Sequence, residues 1–125
     1  FIGGVSEYQK QFYETVLSAN LEALKKCKEG VSINDVDDTA TKILENSDYK
    51  KFIVHKTGHG LGLDVHEDPY VMRKNHDLLE KGMVITIEPG LYKKGSLGVR
   101  IEDDVVITNE GCKSLTTFPK ELTII

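Results

Sequence analysis

The sequence contains no tryptophan, only two cysteines and three prolines, and no long hydrophobic run. Its apolar stretches are a few residues long, whereas a helix that crosses a membrane needs about 20. Cys27 and Cys112 do not form a CxxC motif, so the sequence predicts isolated thiols in a reducing compartment. Basic residues are outnumbered by acidic ones, 16 to 20, and form no dominant cluster. We therefore expect a cytoplasmic protein that binds neither membranes nor nucleic acids.

The overall composition is that of an ordinary globular domain. Hydrophobic residues make up 39% of the chain and charged residues 29%, with a net charge of −4. A chain of 125 residues is long enough to enclose one hydrophobic core. The chain opens on Phe1-Ile2-Gly3-Gly4 without an initiator methionine, which predicts that it is part of a longer protein.

Two helices are predicted in the first part of the chain. Ser6 and Gln9 match a capping box, in which the two side chains satisfy free backbone N–H groups at a helix N-terminus. The apolar stripe of this first helix consists of Tyr8, Phe12, Val16, Ala19 and Ala23. A second helix begins after Ser32, whose hydroxyl can cap it, and ends at Asn46-Ser47-Asp48. Its buried face consists of Ile33, Val36, Ala40, Ile43 and Leu44.

From Phe52 onward the pattern changes to that of strands. Glycines become frequent, and the apolar runs become short and β-branched. Residues 84–87 form a predicted strand that Pro89-Gly90 stops, and residues 99–108 form a longer one. A last strand is predicted near residues 112–116. Two helices followed by several strands indicate an α+β layer packing.

The densest chemical signal is a histidine cluster. His55, His59 and His66 are three of the four histidines in the chain and lie within twelve positions. His55 and His59 share a face either of a helix, four residues apart, or of an extended strand. Glycines at positions 58, 60 and 62 disfavour the helix and allow a backbone or a substrate to approach closely. The alternative is a polar loop with unremarkable histidines, because a lone histidine is weak evidence of a site.

Two glutamates downstream strengthen the case for a site. Glu88 directly follows the predicted strand at residues 84–87, and strand ends often carry functional residues. Glu102 lies two residues after Arg100, so both share one face of the predicted long strand. The alternative is a solvated surface pair of glutamate and arginine. Histidine combined with carboxylates suits manganese, cobalt, iron or zinc, and carboxylates can bridge two metal ions.

Three motifs, in this order, resemble one family of metallopeptidases. They are His-x-x-Gly-His-Gly-x-Gly-x-x-x-His-Glu at residues 55–67, Thr-Ile-Glu-Pro-Gly at 86–90 and Gly-Val-Arg-Ile-Glu-Asp at 98–103. The sequence resembles the M24 family, which holds methionine aminopeptidase, Xaa-Pro aminopeptidase and prolidase, over residue 1 to about residue 122. Its Arg-Ile-Glu-Asp form is more similar to the Xaa-Pro branch. The resemblance implies an α+β fold, the C-terminal half of a pita-bread fold, with two helices followed by an antiparallel sheet.

The resemblance also implies a metal site. The family binds two divalent ions through two aspartates, one histidine and two glutamates. By motif, His59 matches the histidine, Glu88 a terminal ligand and Glu102 a bridging ligand. The implied ions are manganese or cobalt, with zinc and iron as alternatives. The opening Phe-Ile-Gly-Gly resembles the segment that follows the family's aspartate motif, so residues 1–125 are expected to be the C-terminal part of a single catalytic domain that lacks both aspartates.

The remaining roles follow from the same resemblance. Glu88 would transfer a proton, and His66 would contact the scissile carbonyl and stabilise the oxyanion. His55 would line the substrate pocket, and Arg100 would orient the carboxylates and tune their pKa values. The implied substrate is a proline-containing peptide, cleaved at its Xaa-Pro bond by an aminopeptidase or dipeptidase that is a homodimer.

Three alternatives to this interpretation remain open. A metal-free relative such as creatinase uses the same fold, and some pita-bread domains serve as non-catalytic peptide- or protein-binding modules. The retained set of His59, Glu88 and Glu102 disfavours both, because neither needs metal ligands. The chain is also consistent with a structural piece of a larger domain, and with three of five ligands we expect it to have little or no activity alone.

Overall fold

The structure, a computed structural model, describes residues 1–125 and places two helices before seven strands. The helices are α1 (Glu7–Lys26) and α2 (Ile33–Glu45), and a short 3-10 turn follows at Lys50–Phe52. The strands are β1 (Gly58–Gly60), β2 (Glu67–Val71), β3 (Val84–Ile87), β4 (Gly90–Lys93), β5 (Leu97–Arg100), β6 (Asp103–Ile107) and β7 (Cys112–Ser114). This order confirms the prediction of two helices followed by a sheet.

Helix α1 forms as the sequence predicts. The Ser6 side chain accepts from the Gln9 backbone N–H, and the Gln9 side chain accepts from the Ser6 backbone N–H, so the capping box is complete. Four members of the apolar stripe are fully buried, namely Phe12, Val16, Ala19 and Ala23. Tyr8, at the start of the stripe, stays 40% exposed.

Helix α2 begins where the sequence predicts, but its cap differs. Ser32 occupies the N-cap position, yet its hydroxyl makes no capping hydrogen bond and is buried without a partner. The first N–H groups of the helix instead donate to main-chain carbonyls, from Ile33 to Asp77 at 2.9 Å and from Asn34 to Asn75 at 2.7 Å. The predicted Ser32 cap is therefore wrong, because a neighbouring segment satisfies the same donors.

The strands form two antiparallel sheets. The larger has five strands in the order β2-β1-β3-β6-β7, and the smaller pairs β4 with β5. In the larger sheet Ile87, the last residue of β3, pairs with Asp103, the first residue of β6. Helix α1 packs against β3, β4 and β5, and α2 packs against β2, which confirms the α+β class with an antiparallel sheet.

The predicted strand at residues 99–108 is wrong as a single element. It is divided into β5 and β6, which belong to different sheets, and Ile101 and Glu102 lie at the break. The Ile101 N–H donates to the Pro89 carbonyl at 3.4 Å, and the Ile101 carbonyl accepts from the Asn20 side chain at 3.3 Å. Both backbone groups of Ile101 are thus engaged outside β5 and β6, and Arg100 and Glu102 do not share a strand.

The hydrophobic core lies between the helices and the sheets. Its largest fully buried apolar side chains are Phe12, Ile33, Leu79, Ile85, Ile87, Leu91 and Ile107. Each such side chain contributes about 1.5–3 kcal/mol when it leaves water. None of the helices is long and apolar enough to span a bilayer.

The two cysteines are neighbours in space. Both are free thiols, with Cys27 buried and Cys112 partly buried. A hydrogen bond between the two thiols, together with burial, raises the pKa of Cys27 above its usual range. The prediction that the two cysteines do not form a disulfide is confirmed, although the end of α1 and β7 bring the two thiols close together.

Candidate active site

His59 occupies the middle of β1, and two glycines allow it to lie there. A Cβ atom on Gly58 would lie 1.9 Å from the carbonyl oxygen of Thr86, and one on Gly60 would lie 2.4 Å from that of Asp68. Only glycine therefore lets β1 approach β3 on one side and β2 on the other. The expectation that these glycines permit a close backbone approach is confirmed, and His59 is left only 6% exposed.

The His59 ring is oriented by its neighbours. Its Nδ1 lies 2.9 Å from the carbonyl oxygen of Gly60, which can only accept, so Nδ1 carries a proton. Its Nε2 lies 3.0 Å from Oε1 of Glu88. In a neutral imidazole Nε2 carries a lone pair, which repels the lone pairs of the Glu88 oxygen. The contact becomes attractive when a proton or a metal ion is shared by the two atoms.

Glu88 is buried at the end of β3 and is held from two sides. The Thr86 hydroxyl donates to its Oε1 at 2.9 Å and accepts from the His59 backbone N–H at 3.0 Å, so it joins the two candidate ligands. The Glu88 backbone N–H donates to the Thr57 carbonyl at 2.7 Å. The sequence reasoning missed Thr86. Its signal is its position two residues before Glu88, which puts both side chains on one face of the strand.

Arg100 lies between the two candidate glutamates. Its guanidinium lies 3.5 Å from Oε2 of Glu88 and 3.7 Å from Oε2 of Glu102, and it is about half exposed. Burial and then the nearby charge of Glu88 raise the pKa of Glu102, while the Arg100 charge opposes the shift. Glu88 and Glu102 are close enough to repel each other, and Arg100 offsets only part of their negative charge. A further cation would therefore bind favourably beside them.

A buried aspartate supports the loop that carries His59. Asp37, on α2, is 4% exposed and accepts from the Thr57 hydroxyl at 2.6 Å and from the Thr57 backbone N–H at 3.3 Å. Thr41 donates to its second oxygen at 3.3 Å. The sequence reasoning missed this network, although Asp37 lies four residues after Ile33 on the apolar face of the helix.

The other two histidines lie at different edges of the site. His66 is exposed, and its ring centroid lies 4.3 Å from that of His59. His55 hydrogen-bonds the Tyr92 hydroxyl through Nε2 at 3.1 Å and lies against Gly90, two residues beyond Glu88. The structure therefore brings His66 directly to His59, while His55 borders the site from the side of β4.

The donor atoms of the site suit a divalent metal ion. His59 and Glu88 present an imidazole nitrogen and a carboxylate oxygen, donors that suit manganese, cobalt, iron and zinc. The Nδ1 contact with a carbonyl fixes the tautomer that leaves Nε2 free to ligate. No group of three or more His, Cys, Asp or Glu side chains is arranged to hold an ion. The chemistry of the pair fits a divalent cation, with Glu102 as the neighbouring carboxylate.

A groove of about 560 Å³ lies beside the site. It is bounded by aromatic and apolar residues from both ends of the chain and includes Arg100. His55, His59, His66, Glu88 and Glu102 do not line it. Arg100 is therefore the only candidate site residue that lines it.

A buried histidine on β1 lies against a glutamate that directly follows β3, with an arginine and a second glutamate beside them, which is the arrangement expected of a pita-bread metallopeptidase. The chain belongs to metallopeptidase family M24, whose model matches residues 1–109. The chain is also 47% identical over 121 residues to YkvY of Bacillus subtilis (strain 168), a protein whose name describes it provisionally as a dipeptidase. That match covers 97% of this chain and 33% of the relative.

Solved structures of peptidases are also similar to this chain. An Xaa-Pro dipeptidase from Bacillus anthracis superposes with a TM-score of 0.95 at 39% identity, over 99% of this chain and 35% of that one. An X-Pro aminopeptidase from Thermotoga maritima MSB8 superposes with a TM-score of 0.94 at 40% identity, over 99% and 35%. A prolidase from Thermococcus sibiricus gives 0.95 at 44% identity, over 99% and 34%. The chain thus spans about a third of the length of the relatives that it matches, and the predicted pita-bread fold is confirmed.

Proposed function

We propose that the whole protein containing this chain is a metal-dependent peptidase that hydrolyses Xaa-Pro bonds, as a dipeptidase or an aminopeptidase. The observation that carries the proposal is the His59–Glu88 pair, in which a ring nitrogen with a lone pair faces a buried carboxylate oxygen. The similarity to an Xaa-Pro dipeptidase, a prolidase and an X-Pro aminopeptidase supports the substrate class.

His59, Glu88 and Glu102 would hold the metal ions, for which we propose manganese or cobalt. Two divalent ions supply Lewis-acid activation of the peptide carbonyl and of the attacking water when they are bound. The protein keeps the donors fixed: Thr86 orients the Glu88 carboxylate, and the Gly60 carbonyl orients the His59 ring. Arg100 lies within 4 Å of both glutamates and balances part of their negative charge.

The proton-transfer and substrate-binding roles belong to residues around this pair. Glu88 is buried within hydrogen-bond reach of His59, so its carboxylate can accept a proton from the attacking water and deliver it to the leaving nitrogen. His66 is exposed beside His59 and can donate to the oxygen of the scissile carbonyl. His55, fixed by Tyr92, would form one wall of the pocket for the peptide.

Residues 1–125 are proposed to form the C-terminal part of the catalytic domain. Within this chain the metal-binding groups amount to one histidine and two glutamates, which we expect to support little turnover without further ligands. The free cysteines also favour a cytoplasmic location, and the resemblance to the Xaa-Pro branch implies a homodimer. Cell fractionation and analytical ultracentrifugation of the whole protein test these two properties.

The proposal is tested by kinetics on a dipeptide that ends in proline, with a longer Xaa-Pro peptide measured in parallel to separate the two modes of action. Glu88→Gln in the whole protein should lower kcat by about 10²–10⁴-fold, the usual contribution of a general acid–base group. Glu80→Gln is the matched control, because Glu80 is exposed and lies outside the site. Unchanged turnover in Glu88→Gln, or no hydrolysis of Xaa-Pro peptides by the metal-loaded protein, contradicts the proposal.

A further inference from the structure

Asn20 is a fully buried polar residue in the middle of α1, on the side of the helix that faces the sheets. Its side-chain Nδ2 lies 3.1 Å from the carbonyl oxygen of Ile87 and 3.3 Å from that of Ile101. The same nitrogen lies 3.0 Å from Oδ2 of Asp103. One amide group therefore reaches three oxygen atoms from two separate segments of the chain.

The positions of these oxygens connect Asn20 to the candidate metal site. Ile87 directly precedes Glu88, while Ile101 and Asp103 directly flank Glu102. The contacts thus hold the end of β3 and the break between β5 and β6, the two points from which the glutamates extend. Asn20 makes no hydrogen bond to either glutamate, so its influence on them would pass through the segments that carry them.

The amide of Asn20 is fixed in orientation. Its Oδ1 accepts from the Lys120 ammonium at 3.2 Å, and Lys120 also pairs with Oδ2 of Asp103 at 2.8 Å. A second contact holds Asp103, whose Oδ1 accepts from the Ser114 hydroxyl at 3.1 Å. Since an ammonium only donates and carbonyl and carboxylate oxygens only accept, turning the amide over would break the contacts of Asn20 with Ile87, Ile101, Asp103 and Lys120.

We propose that Asn20 is a positioning residue that sets the spacing and orientation of Glu88 and Glu102. The inference rests on the proposed function, because it assigns to the two glutamates the role of metal ligands. Metal ligands require fixed geometry, and loss of a group that orients them typically weakens metal binding by about 10–100-fold. A residue that only stabilised the fold would lower the melting temperature without changing the metal affinity of the folded protein.

The test compares Asn20→Leu with Val16→Ala in the whole protein. Leucine keeps the size of asparagine and removes its hydrogen bonds, while Val16 is fully buried one turn earlier on α1 and controls for lost stability. Mn²⁺ affinity is measured by electron paramagnetic resonance. The ¹³C resonances of the Ile87 and Ile101 carbonyls are measured without metal, since they report directly on hydrogen bonding.

Asn20→Leu should weaken Mn²⁺ binding by about 10–100-fold and shift both carbonyl resonances. Val16→Ala should lower the melting temperature and leave both quantities unchanged. Unchanged Mn²⁺ affinity in folded Asn20→Leu, or equal losses in the two variants, overturns the inference. If the unsubstituted protein binds no Mn²⁺, the proposed function fails. Separately, unshifted Ile87 and Ile101 carbonyl resonances in Asn20→Leu would overturn the positioning role of Asn20.

A second variant covers the case in which Asn20→Leu does not fold. Asn20→Ser removes the same amide group and is measured in the same way: Mn²⁺ binding should again weaken, and both carbonyl resonances should again shift. In the unsubstituted protein, the Asn20 side-chain amide protons should exchange with solvent far more slowly than those of the exposed Asn109. Equal exchange rates contradict the hydrogen bonds on which the inference depends.

Discussion

Loss of the Asp37 carboxylate should destabilise the protein strongly. Asp37 accepts two hydrogen bonds from Thr57 and one from Thr41 in a buried environment, and the shortest of these is 2.6 Å. A hydrogen bond to a charged group contributes about 1.5–3 kcal/mol, and a buried donor left without a partner costs about 1–3 kcal/mol. Because two of the three bonds are long, we expect Asp37→Ala to lower the free energy of unfolding by about 2–4 kcal/mol in total.

This loss corresponds to a measurable change in melting temperature. The entropy of unfolding for a chain of this length is about 0.26 kcal/mol/K, so each kcal/mol lowers the melting temperature by about 4 °C. Asp37→Ala should therefore melt about 8–16 °C below the unsubstituted protein. Asp35→Ala, an exposed change in the first turn of the same helix, should cost at most about 1 kcal/mol through the helix dipole.

Urea denaturation with a double-mutant cycle tests the cause of the loss. Thr57→Val removes the hydroxyl that donates to Asp37, and the pair should show a coupling energy of about 1–3 kcal/mol. Additive effects of Asp37→Ala and Thr57→Val would refute the reasoning, because they would show that the carboxylate and the hydroxyl do not interact. An equal loss in Asp35→Ala would refute it as well.

Two further predictions concern the fold. Gly58→Ala should prevent β1 from pairing with β3, because the new Cβ would clash with the Thr86 carbonyl. Gly4→Ala is the control and should be tolerated, because no atom lies near the Cβ that it adds. Circular dichroism and thermal melting compare the two variants. Arg73 lowers the pKa of Glu45 through a two-point hydrogen bond. This stabilisation is fully present above the pKa of the unfolded carboxyl and is lost as the pH falls through the lower folded value. The stability difference between the unsubstituted protein and Arg73→Ala should therefore shrink below about pH 4.5, and a constant difference would exclude this ion pair as its source.

The helices and the central strand could be predicted because their signals are local. The capping box at Ser6 and the apolar stripe of α1 specify that helix within one segment of sequence, and β3 is a run of β-branched residues. Strand β1 could not be predicted in the same way, because a three-residue segment with two glycines has no alternation to detect. The break at Ile101 and the unused hydroxyl of Ser32 depend on tertiary partners, Pro89 and the segment at residues 75–77, which lie far away in sequence.

The candidate site likewise contains residues that the sequence predicts and residues that it does not. His59 and Glu88 are predictable from the sequence because histidine and glutamate in these motifs suit metal binding, and the structure brings their side chains to 3.0 Å. Asp37 and Asn20 escaped notice because each is a polar residue on an otherwise apolar helix face, a signal that identifies burial but not its purpose. Their partners become visible only when the helices are packed on the sheets.

The metal content of the whole protein shows whether His59 and Glu88 bind metal. After removal of bound metal and equilibration with Mn²⁺, we expect two tightly bound ions per chain in the unsubstituted protein. It predicts a loss of at least one of them in His59→Ala, since that change removes the only imidazole nitrogen directed at Glu88. Equal metal content in the two proteins would contradict the assignment of His59 and Glu88 as a metal-binding pair.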